Sequence, residues 1–280
     1  MEKHLKKYFA LFALPTVLAF LTAFVIPFIF GIFLSFCKFT TVLDARWIGI
    51  RNYVRAFSDK DFLNALGFTT AFAVVAVITI NLIAFLMALL LTRGKKGTNT
   101  VRTIVFMPNL IGGIVLGYIW QLILNGILNM FGATLTEDPV YGFWGLVILM
   151  NWQLIGYMMV IYIAGIQNVS NELLDAAKVD GASPLKVVRY VIMPLIRPAV
   201  TICLFLTLTH AYKLFDQNLA LTAGAPAKKT AMLALDIYNT FYGRNGWEGV
   251  GQAKAVLFSI IVAVIALTQL YFTKRKEVES

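Results

Sequence analysis

Polar and aromatic side chains inside strongly apolar stretches are the residues of this 280-residue chain that could do chemistry. Amides and carboxylates exchange hydrogen bonds with hydroxyl groups, and aromatic rings stack against the apolar faces of sugar rings. Because such polar groups are costly against lipid, most of them must face protein or water. This mixture favours a path for a hydroxyl-rich solute over a metal or lipid site. The candidate path residues are Gln121, Asn125, Asn151, Trp152, Gln153, Tyr157, His210, Tyr212, Lys213 and Asp216.

Each candidate path residue also has a structural interpretation. Trp and Tyr near the ends of apolar segments commonly anchor a protein at the membrane interface. Asn151 and Gln153 could instead form hydrogen bonds between helices. Lys213 and Asp216 lie three residues apart, on one face of a helix, and could form an ion pair. A single His210 is typical of an interior histidine with satisfied hydrogen bonds, so the sequence leaves both interpretations open.

Motifs of hydrolytic or nucleotide chemistry are absent from the sequence. It contains no H-E-x-x-H, no G-x-S-x-G, no P-loop and no cluster of Cys and His. Its two histidines, His4 and His210, are expected on opposite sides of the membrane. Cys37 and Cys203 lack metal-ligand spacing and are expected to be small buried residues. The sequence therefore predicts neither an enzyme nor a metal site.

The elements that carry these residues are apolar segments long enough to cross a bilayer. The chain is 59% hydrophobic and 14% charged, with a mean hydropathy of +0.78, which is far more apolar than an average soluble domain. A span needs about 20 apolar residues, so the sequence predicts an all-α polytopic membrane protein with six transmembrane helices. The predicted spans cover residues 9–36, 65–91, 101–124, 143–166, 195–215 and 253–272, approximately.

No polar block between these segments is long enough for a soluble module, so a single domain over residues 1–280 is predicted. The first apolar stretch is longer than the core of a cleavable signal peptide, which predicts a retained span. The net charge of +10 is scattered through short loops rather than gathered on one face. This distribution fits contact with a lipid bilayer, and no nucleic-acid partner is expected.

Orientation follows from the Lys and Arg residues, whose excess predicts a multi-pass protein with both termini in the cytoplasm. The compact basic turn at 93–96 is the strongest inside signal. The loop after the first span weakens the excess, because it places Arg46, Arg51, Arg55 and Lys60 on the predicted outer side.

The predicted inner loop at 167–194 has the local pattern of helix, sharp turn and helix. Ser170 can cap a first helix, and Glu172 is well placed for the helix dipole in its first turn. Gly181 suits a left-handed C-cap, and Ser183 and Pro184 can begin the second helix. Such a helix can press into a groove on a partner, or it can be an amphipathic linker at the membrane surface.

The residues of this loop resemble a known signature. The order Asp175-Ala176-Ala177, three residues, Gly181, nine residues and then V-I-M-P ending at Pro194 is similar to E-A-A-x3-G-x9-I-x-L-P of bacterial ABC importer permeases. The departures are Asp for Glu, Val for Ile and Met for Leu. The resemblance implies a cytoplasmic coupling helix that docks on an ATPase subunit. It also implies two such ATPase subunits, which would bind ATP and Mg²⁺, while this chain binds no cofactor.

A second stretch narrows the resemblance. Residues 215–230 are similar to the F-D-x5-T-x-G-x-P-x3-T pattern of the first permease subunit in maltose, glycerol-phosphate and multiple-sugar importers, and G-Q-A-K-A at 251–255 resembles that group's entry to the last span. The resemblance implies a heterodimer with a second permease in the bacterial cytoplasmic membrane. Its cargo would be a di- or oligosaccharide delivered by an extracytoplasmic binding protein. Glycerol phosphate as the cargo, or a channel outside this family, are the alternatives.

Overall fold

The computed structural model describes residues 13–92 and 97–278, with side chains up to Thr273. The basic turn at 93–96 lies outside the described residues, as do His4 and the start of the first predicted span. In chain order the elements are α1 Ala13–Ser35, β1 Cys37–Lys38, a 3-10 turn Val42–Asp44, β2 Arg46–Trp47, α2 Arg51–Ser58, α3 Lys60–Leu91, α4 Thr98–Leu110, α5 Gly113–Asn129, α6 Pro139–Gln167, α7 Asn171–Val179, α8 Pro184–Leu195, α9 Arg197–Tyr212, α10 Asp216–Leu221, α11 Leu233–Gly243 and α12 Glu248–Val278.

The helical, membrane-spanning fold class is confirmed. Among the described helices, α1, α3, α6 and α12 are each long and apolar enough to cross a membrane, and two bent pairs, α4 with α5 and α8 with α9, bring the count to six. The strands β1 and β2 form a short antiparallel hairpin with Cys37 opposite Trp47. Strand structure in the described chain is therefore confined to the connection after α1.

Two of the six predicted spans are not straight helices. The span predicted at 101–124 bends by 103° between α4 and α5, and the one at 195–215 follows a bend of 76° between α8 and α9. Pro108 and Gly112 lie at the first bend, and Ile196 and Pro198 lie at the second. A proline ring clashes with the preceding turn and lacks an amide hydrogen, and glycine weakens a helix, so both breaks have a local cause.

The described chain divides into two compact units. Unit 1 comprises the described part of Met1–Phe62 together with Ile237–Ser259, and unit 2 comprises Leu63–Asp236 together with the described part of Ile260–Ser280. The single domain predicted over residues 1–280 stays a prediction.

Helix α6 is the best buried of the four long helices, and polar residues join it to its neighbours in unit 2. Tyr162 of α6 donates to Asn81 Oδ1 of α3 at 2.8 Å. Asn81 in turn donates to Thr207 Oγ1 of α9 at 3.2 Å. Buried amides and hydroxyls that pair in this way avoid the cost of an unsatisfied group in an apolar interior. These bonds tie α3, α6 and α9 into one bundle.

Among the described glycines of unit 2, Gly156 has the least room for a side chain, and we expect Gly156→Ala to destabilise the protein. A Cβ atom at this position of α6 would lie 2.7 Å from Phe106 Cα and closer still to the carbonyl of Val105, both on α4. Backbone cannot move aside as a flexible side chain can, so the cost should be about 3 kcal/mol, at the upper end of the usual range for overpacking. Thermal unfolding of the purified protein in detergent measures the effect.

Gly67→Ala is the matched control for that substitution. Gly67 lies within α3, where an added Cβ meets nothing within 4 Å. Alanine favours the helix by about 1 kcal/mol over glycine, so this variant should unfold at the wild-type temperature or above it. Equal unfolding temperatures for the two variants would show that α4 and α6 leave room for a methyl group at position 156.

Candidate functional site

The predicted helix, sharp turn and second helix are present between residues 170 and 195. Helix α7 ends at Val179, and Gly181 follows it with a φ of +73°, in the left-handed region that suits glycine. The amide of Gly181 donates to Lys178 O, and the amide of Ala182 donates to Ala177 O, each at 3.0 Å. These two bonds form a Schellman turn, which closes α7 and directs the chain into α8.

The helix caps differ in detail from the sequence prediction. Ser170 and Ser183 occupy the N-cap positions of α7 and α8 in extended conformations, as predicted, but neither side chain makes a capping hydrogen bond. Both serines are exposed, so water can satisfy the first-turn amides instead. Pro184 begins α8 at its first turn, where proline costs no hydrogen bond.

Asp175 lies on the solvent-accessible side of α7. Its carboxylate pairs with Lys178 Nζ at 2.8 Å, and the two side chains are 68% and 69% exposed. An exposed ion pair of this kind stabilises a fold very little. Ala176 is also exposed, while Ala177 and Pro194 are half-buried. The acidic position of the motif is therefore available for a contact outside this chain.

Apolar side chains beside the motif are exposed as well. Leu173, Val179 and Leu185 are 48%, 87% and 77% exposed. Contiguous exposed apolar groups next to charged residues are characteristic of interaction surfaces. Helix α7 and the start of α8 thus present an acidic and apolar surface in the connection between α6 and α9.

The second motif, at 215–230, forms a closed turn around a buried amide. Asn218 is fully buried, and its Nδ2 donates to Thr222 Oγ1 at 3.0 Å and to Thr230 O at 2.9 Å. Its Oδ1 accepts from Met232 N at 2.9 Å, and Thr230 Oγ1 donates to Ala225 O at 2.6 Å. Both threonines of the pattern, Thr222 and Thr230, therefore take part in hydrogen bonds inside unit 2.

Asn218 was not among the residues selected from the sequence. Its signal was present, because an amide stands between Asp216 and Thr222 in a stretch that is otherwise largely apolar. Gly224, with a φ of +83°, supplies the left-handed turn between the two threonines. Asn218, Thr222, Gly224 and Thr230 shape this connection, whereas Asp216 at its start is exposed.

Two predicted path residues on α5 are used within the protein. Gln121 Nε2 donates to Leu221 O at 3.1 Å. Asn125 Oδ1 accepts from Leu135 N at 2.8 Å. Each bond satisfies a backbone group at the end of a neighbouring segment, which is a positioning role. Both side chains are half-buried, and their place on a solute path stays a prediction.

The amides of α6 also bond between helices. Asn151 Nδ2 donates to Thr79 Oγ1 of α3 at 2.9 Å, while its Oδ1 is buried without a hydrogen-bond partner among the described residues. Gln153 Oε1 accepts from Gln217 Nε2 of α10 at 2.8 Å. Both amides thus form the hydrogen bonds between helices that were their structural interpretation in the sequence, and their place on a solute path stays a prediction. Gln217, the partner of Gln153, is not among the predicted path residues.

The two tyrosines among the candidates pack inside unit 2. Tyr157 meets the ring of Phe106 edge to face, with 6.4 Å between ring centroids. Tyr212 is buried, and its hydroxyl donates to Thr70 Oγ1 at 3.1 Å. Both contacts join neighbouring helices, and a place for these two side chains on the solute path stays a prediction.

The remaining candidates are exposed on unit 2. His210, Lys213 and Asp216 are exposed at the end of α9 and the start of α10, and no ion pair joins Lys213 to Asp216 among the described residues. Trp152 is 43% exposed and meets Trp120 edge to face at 5.6 Å. Charged groups in or beside a span avoid lipid, so this polar surface must meet water or another protein.

The comparisons with known proteins identify the class. The family model described as "Binding-protein-dependent transport system inner membrane component" matches residues 80–278, and this chain belongs to that family. The family consists of transport permeases rather than enzymes. In fold, the chain is similar to the permease of a bacterial ABC transporter that imports alginate, with a TM-score of 0.82 at 22% identity over 98% of both chains. The predicted permease fold is thereby confirmed.

Among individual proteins, the chain is 43% identical over 96% of its length to "Probable starch degradation products transport system permease protein AmyD" of Thermoanaerobacterium thermosulfurigenes, of which it covers 94%. It is 27% identical to the trehalose/maltose transport system permease MalF of Thermococcus litoralis, with coverage of 93% and 91%. A second alginate transporter structure, in complex with a periplasmic protein that holds an alginate pentasaccharide, matches with a TM-score of 0.83 at 21% identity, over 99% of this chain and 98% of that one.

Proposed function

We propose that this chain is the first of two permease subunits in an ABC importer for di- or oligosaccharides. Membership of the binding-protein-dependent family supports an importer and argues against an unrelated channel. The relatives named for starch degradation products and for trehalose and maltose support carbohydrate cargo over glycerol phosphate. The second subunit would be a homologous permease, and each would form half of the translocation path.

The observation that carries the mechanism is the exposed helix α7, closed by the turn at Gly181. Asp175 contributes little to folding and its carboxylate is accessible, so this position of the motif can contact a partner without loss of stability. Two cytoplasmic ATPase subunits would bind ATP and Mg²⁺, and closure of these subunits would push on α7 and α8. The bent connection to α9 would pass this movement to the membrane-spanning bundle.

Topology follows from the same proposal. With six crossings of the membrane, the connection that contains α7 lies on the same side as both chain termini. Docking of cytoplasmic ATPase subunits on α7 therefore places both termini in the cytoplasm, in agreement with the compact basic turn at 93–96. An extracytoplasmic binding protein would deliver the sugar to the opposite side, where the connection between α9 and α12 lies.

The solute path would use the exposed polar surface of unit 2. Asp216 and His210 can exchange hydrogen bonds with sugar hydroxyls, and Trp152 can stack on the apolar face of a sugar ring. Lys213 adds a further donor beside them. These four side chains keep accessible polar or aromatic surface, whereas most of the other candidates are committed to bonds within the bundle.

We expect Trp152→Leu to reduce oligosaccharide uptake about fivefold to tenfold through loss of ring stacking, which contributes about 1 kcal/mol or somewhat more. The measurement is the rate of radiolabelled sugar uptake by cells with equal membrane levels of each variant. Trp144→Leu is the control, because Trp144 lies on the same helix and is also exposed, at 52%. Equal uptake by the two variants would remove Trp152 from the path.

A further inference from the structure

The short helix α2, in the connection between α1 and α3, has three distinct faces. Asn52 and Ala56 are buried in unit 1. Ile50, immediately before the helix, and Val54 and Phe57 share a second face, because they are spaced four and three residues apart. They are 67%, 58% and 54% exposed. A helix of eight residues thus leaves an apolar face outside the packed interior.

Buried hydrogen bonds fix α2 at the end of the first membrane span. Asn52 Nδ2 donates to Ser35 O at 2.9 Å and to Cys37 O at 2.8 Å. The Tyr53 hydroxyl and Ser35 Oγ are hydrogen-bonded at 2.6 Å. Ser35 is the last residue of α1, and α2 ends just before α3 begins at Lys60. Helix α2 must therefore lie within a few residues of the membrane interface.

The third face of α2 is basic and borders a pocket of about 600 Å³. The pocket is lined by Arg55, Ser58, Asp59, Lys60 and Trp247. Asp59 is compensated internally, since its Oδ2 accepts from Arg244 Nη1 at 3.0 Å and from Lys254 Nζ at 2.8 Å.

The two cations of the pocket, Arg55 and Lys60, form no ion pair within the described chain. With the charge of Asp59 compensated, the pocket is positive. Beside its two cations it presents the indole ring of Trp247, while the Ser58 hydroxyl donates to Val54 O at 2.9 Å within α2. A pocket of this size, with two cationic donors and no uncompensated anion, is suited to a phosphate ester.

We propose that this pocket binds the headgroup of an anionic phospholipid, whose acyl chains lie over Ile50, Val54 and Phe57. An amphipathic helix with basic residues beside an exposed apolar face is the pattern of a helix that lies in the bilayer interface. Hydrogen bonds from Asn52 join α2 to the end of α1, a span with almost no buried residues, so a lipid bound on α2 can extend along that span. Trp247 then lies at headgroup level, where tryptophan is enriched.

The lipid site explains why basic residues occupy the predicted outer loop against the usual charge distribution. Arg55 and Lys60 are placed there for a ligand rather than for orientation. The proposal needs only that the chain spans a membrane, so it holds whatever the cargo is.

The test is quenching of Trp247 fluorescence by brominated lipids, with the full-length protein in vesicles of mixed phosphatidylglycerol and phosphatidylcholine. The Trp247 signal is obtained as the difference from Trp247→Phe. Brominated phosphatidylglycerol should quench this signal at a mole fraction in the vesicle roughly tenfold lower than brominated phosphatidylcholine needs, because two cations favour the anionic lipid. The preference should disappear in the double variant Arg55→Gln, Lys60→Gln.

Lys38→Gln serves as the control, because Lys38 is exposed in the same connection but does not line the pocket, and this variant should keep the preference. Equal quenching by both lipids, or an unchanged preference in the double variant, would overturn the proposal. Displacement of the lipid by inorganic phosphate would overturn the role of the acyl chains. In the double variant, the lipid preference could stay unchanged while the binding protein no longer stimulates ATP hydrolysis by the assembled transporter. That result would instead assign the surface to a protein partner.

Discussion

A Gly181→Val variant is expected to lose oligosaccharide uptake about tenfold or more, while it reaches the membrane at the wild-type level. Gly181 has a φ of +73°, and no atom lies within 4 Å of an added Cβ, so the substitution acts through backbone conformation and not through a clash. A residue with a Cβ costs about 1–2 kcal/mol in the left-handed region, and a β-branched residue is among the least suited. The turn that sets α7 against α8 would open, and ATP hydrolysis would continue without uptake.

Gly181→Asn is the matched control, because asparagine tolerates the left-handed conformation and should preserve the turn. We expect this variant to keep most of the uptake. Similar uptake losses in the Asn and Val variants would mean that the side chain itself matters, and wild-type uptake in both would contradict a coupling role for the turn.

Charge reversal at Asp175 separates a partner contact from a local one. Asp175→Lys should reduce uptake, and the swapped pair Asp175→Lys, Lys178→Asp should not restore it, because the swap keeps the ion pair but moves the acidic group. Both side chains are exposed, so neither variant should affect folding. Full recovery in the swapped variant would assign Asp175 a purely local role.

The second large effect is expected from Lys254→Met, which should destabilise the protein by about 3–5 kcal/mol. Lys254 is fully buried, and its ammonium donates to Asp59 Oδ2 at 2.8 Å and to Thr240 Oγ1 at 2.7 Å. Arg244 also pairs with Asp59 and with Asp61. Loss of one cation leaves this cluster with an uncompensated negative charge. Thermal unfolding in detergent measures the loss, with Lys38→Met as the exposed control.

Acid should weaken the same cluster. Burial alone would raise the pKa of Asp59, but the hydrogen bond from Lys254 and the charges of Lys254 and Arg244 outweigh it and hold the pKa below its usual value. The stabilisation is therefore complete above the unfolded value of about 3.9, and it is lost as the pH falls through the lower folded pKa. The double variant Lys254→Met, Asp59→Asn should be less sensitive to acid than wild type, and equal sensitivity would contradict this account.

Local signals explain what could be predicted from the sequence. The apolar length of each span, the glycine at position 181 and the proline at 184 act within one or two turns of chain, and the structure has helices and a turn at those places. The bends at Pro108 and Pro198 were only partly predictable. Proline marks where a helix weakens, but the size of the bend depends on the segments that pack against it.

Contacts between distant segments could not be predicted in the same way. Lys254 and Asp59 are separated by 195 positions in sequence, so nothing local to either residue indicates that they form a buried pair. Asn151 and Gln153 show the converse case. Their polarity in an apolar helix indicated a special role, but it could not indicate that their hydrogen-bond partners lie on other helices. Their place on the solute path stays a prediction.

The most direct measurement of the central proposal is the ratio of oligosaccharide accumulated to ATP hydrolysed. It would use proteoliposomes that contain this chain with its partner permease, the ATPase subunits and the binding protein. We predict that wild-type accumulation requires both ATP and the binding protein, and that Gly181→Val lowers the ratio about tenfold or more while hydrolysis persists. Sugar entry that proceeds without ATP, or an unchanged ratio in the Gly181→Val variant, would contradict the proposal that α7 couples hydrolysis to import.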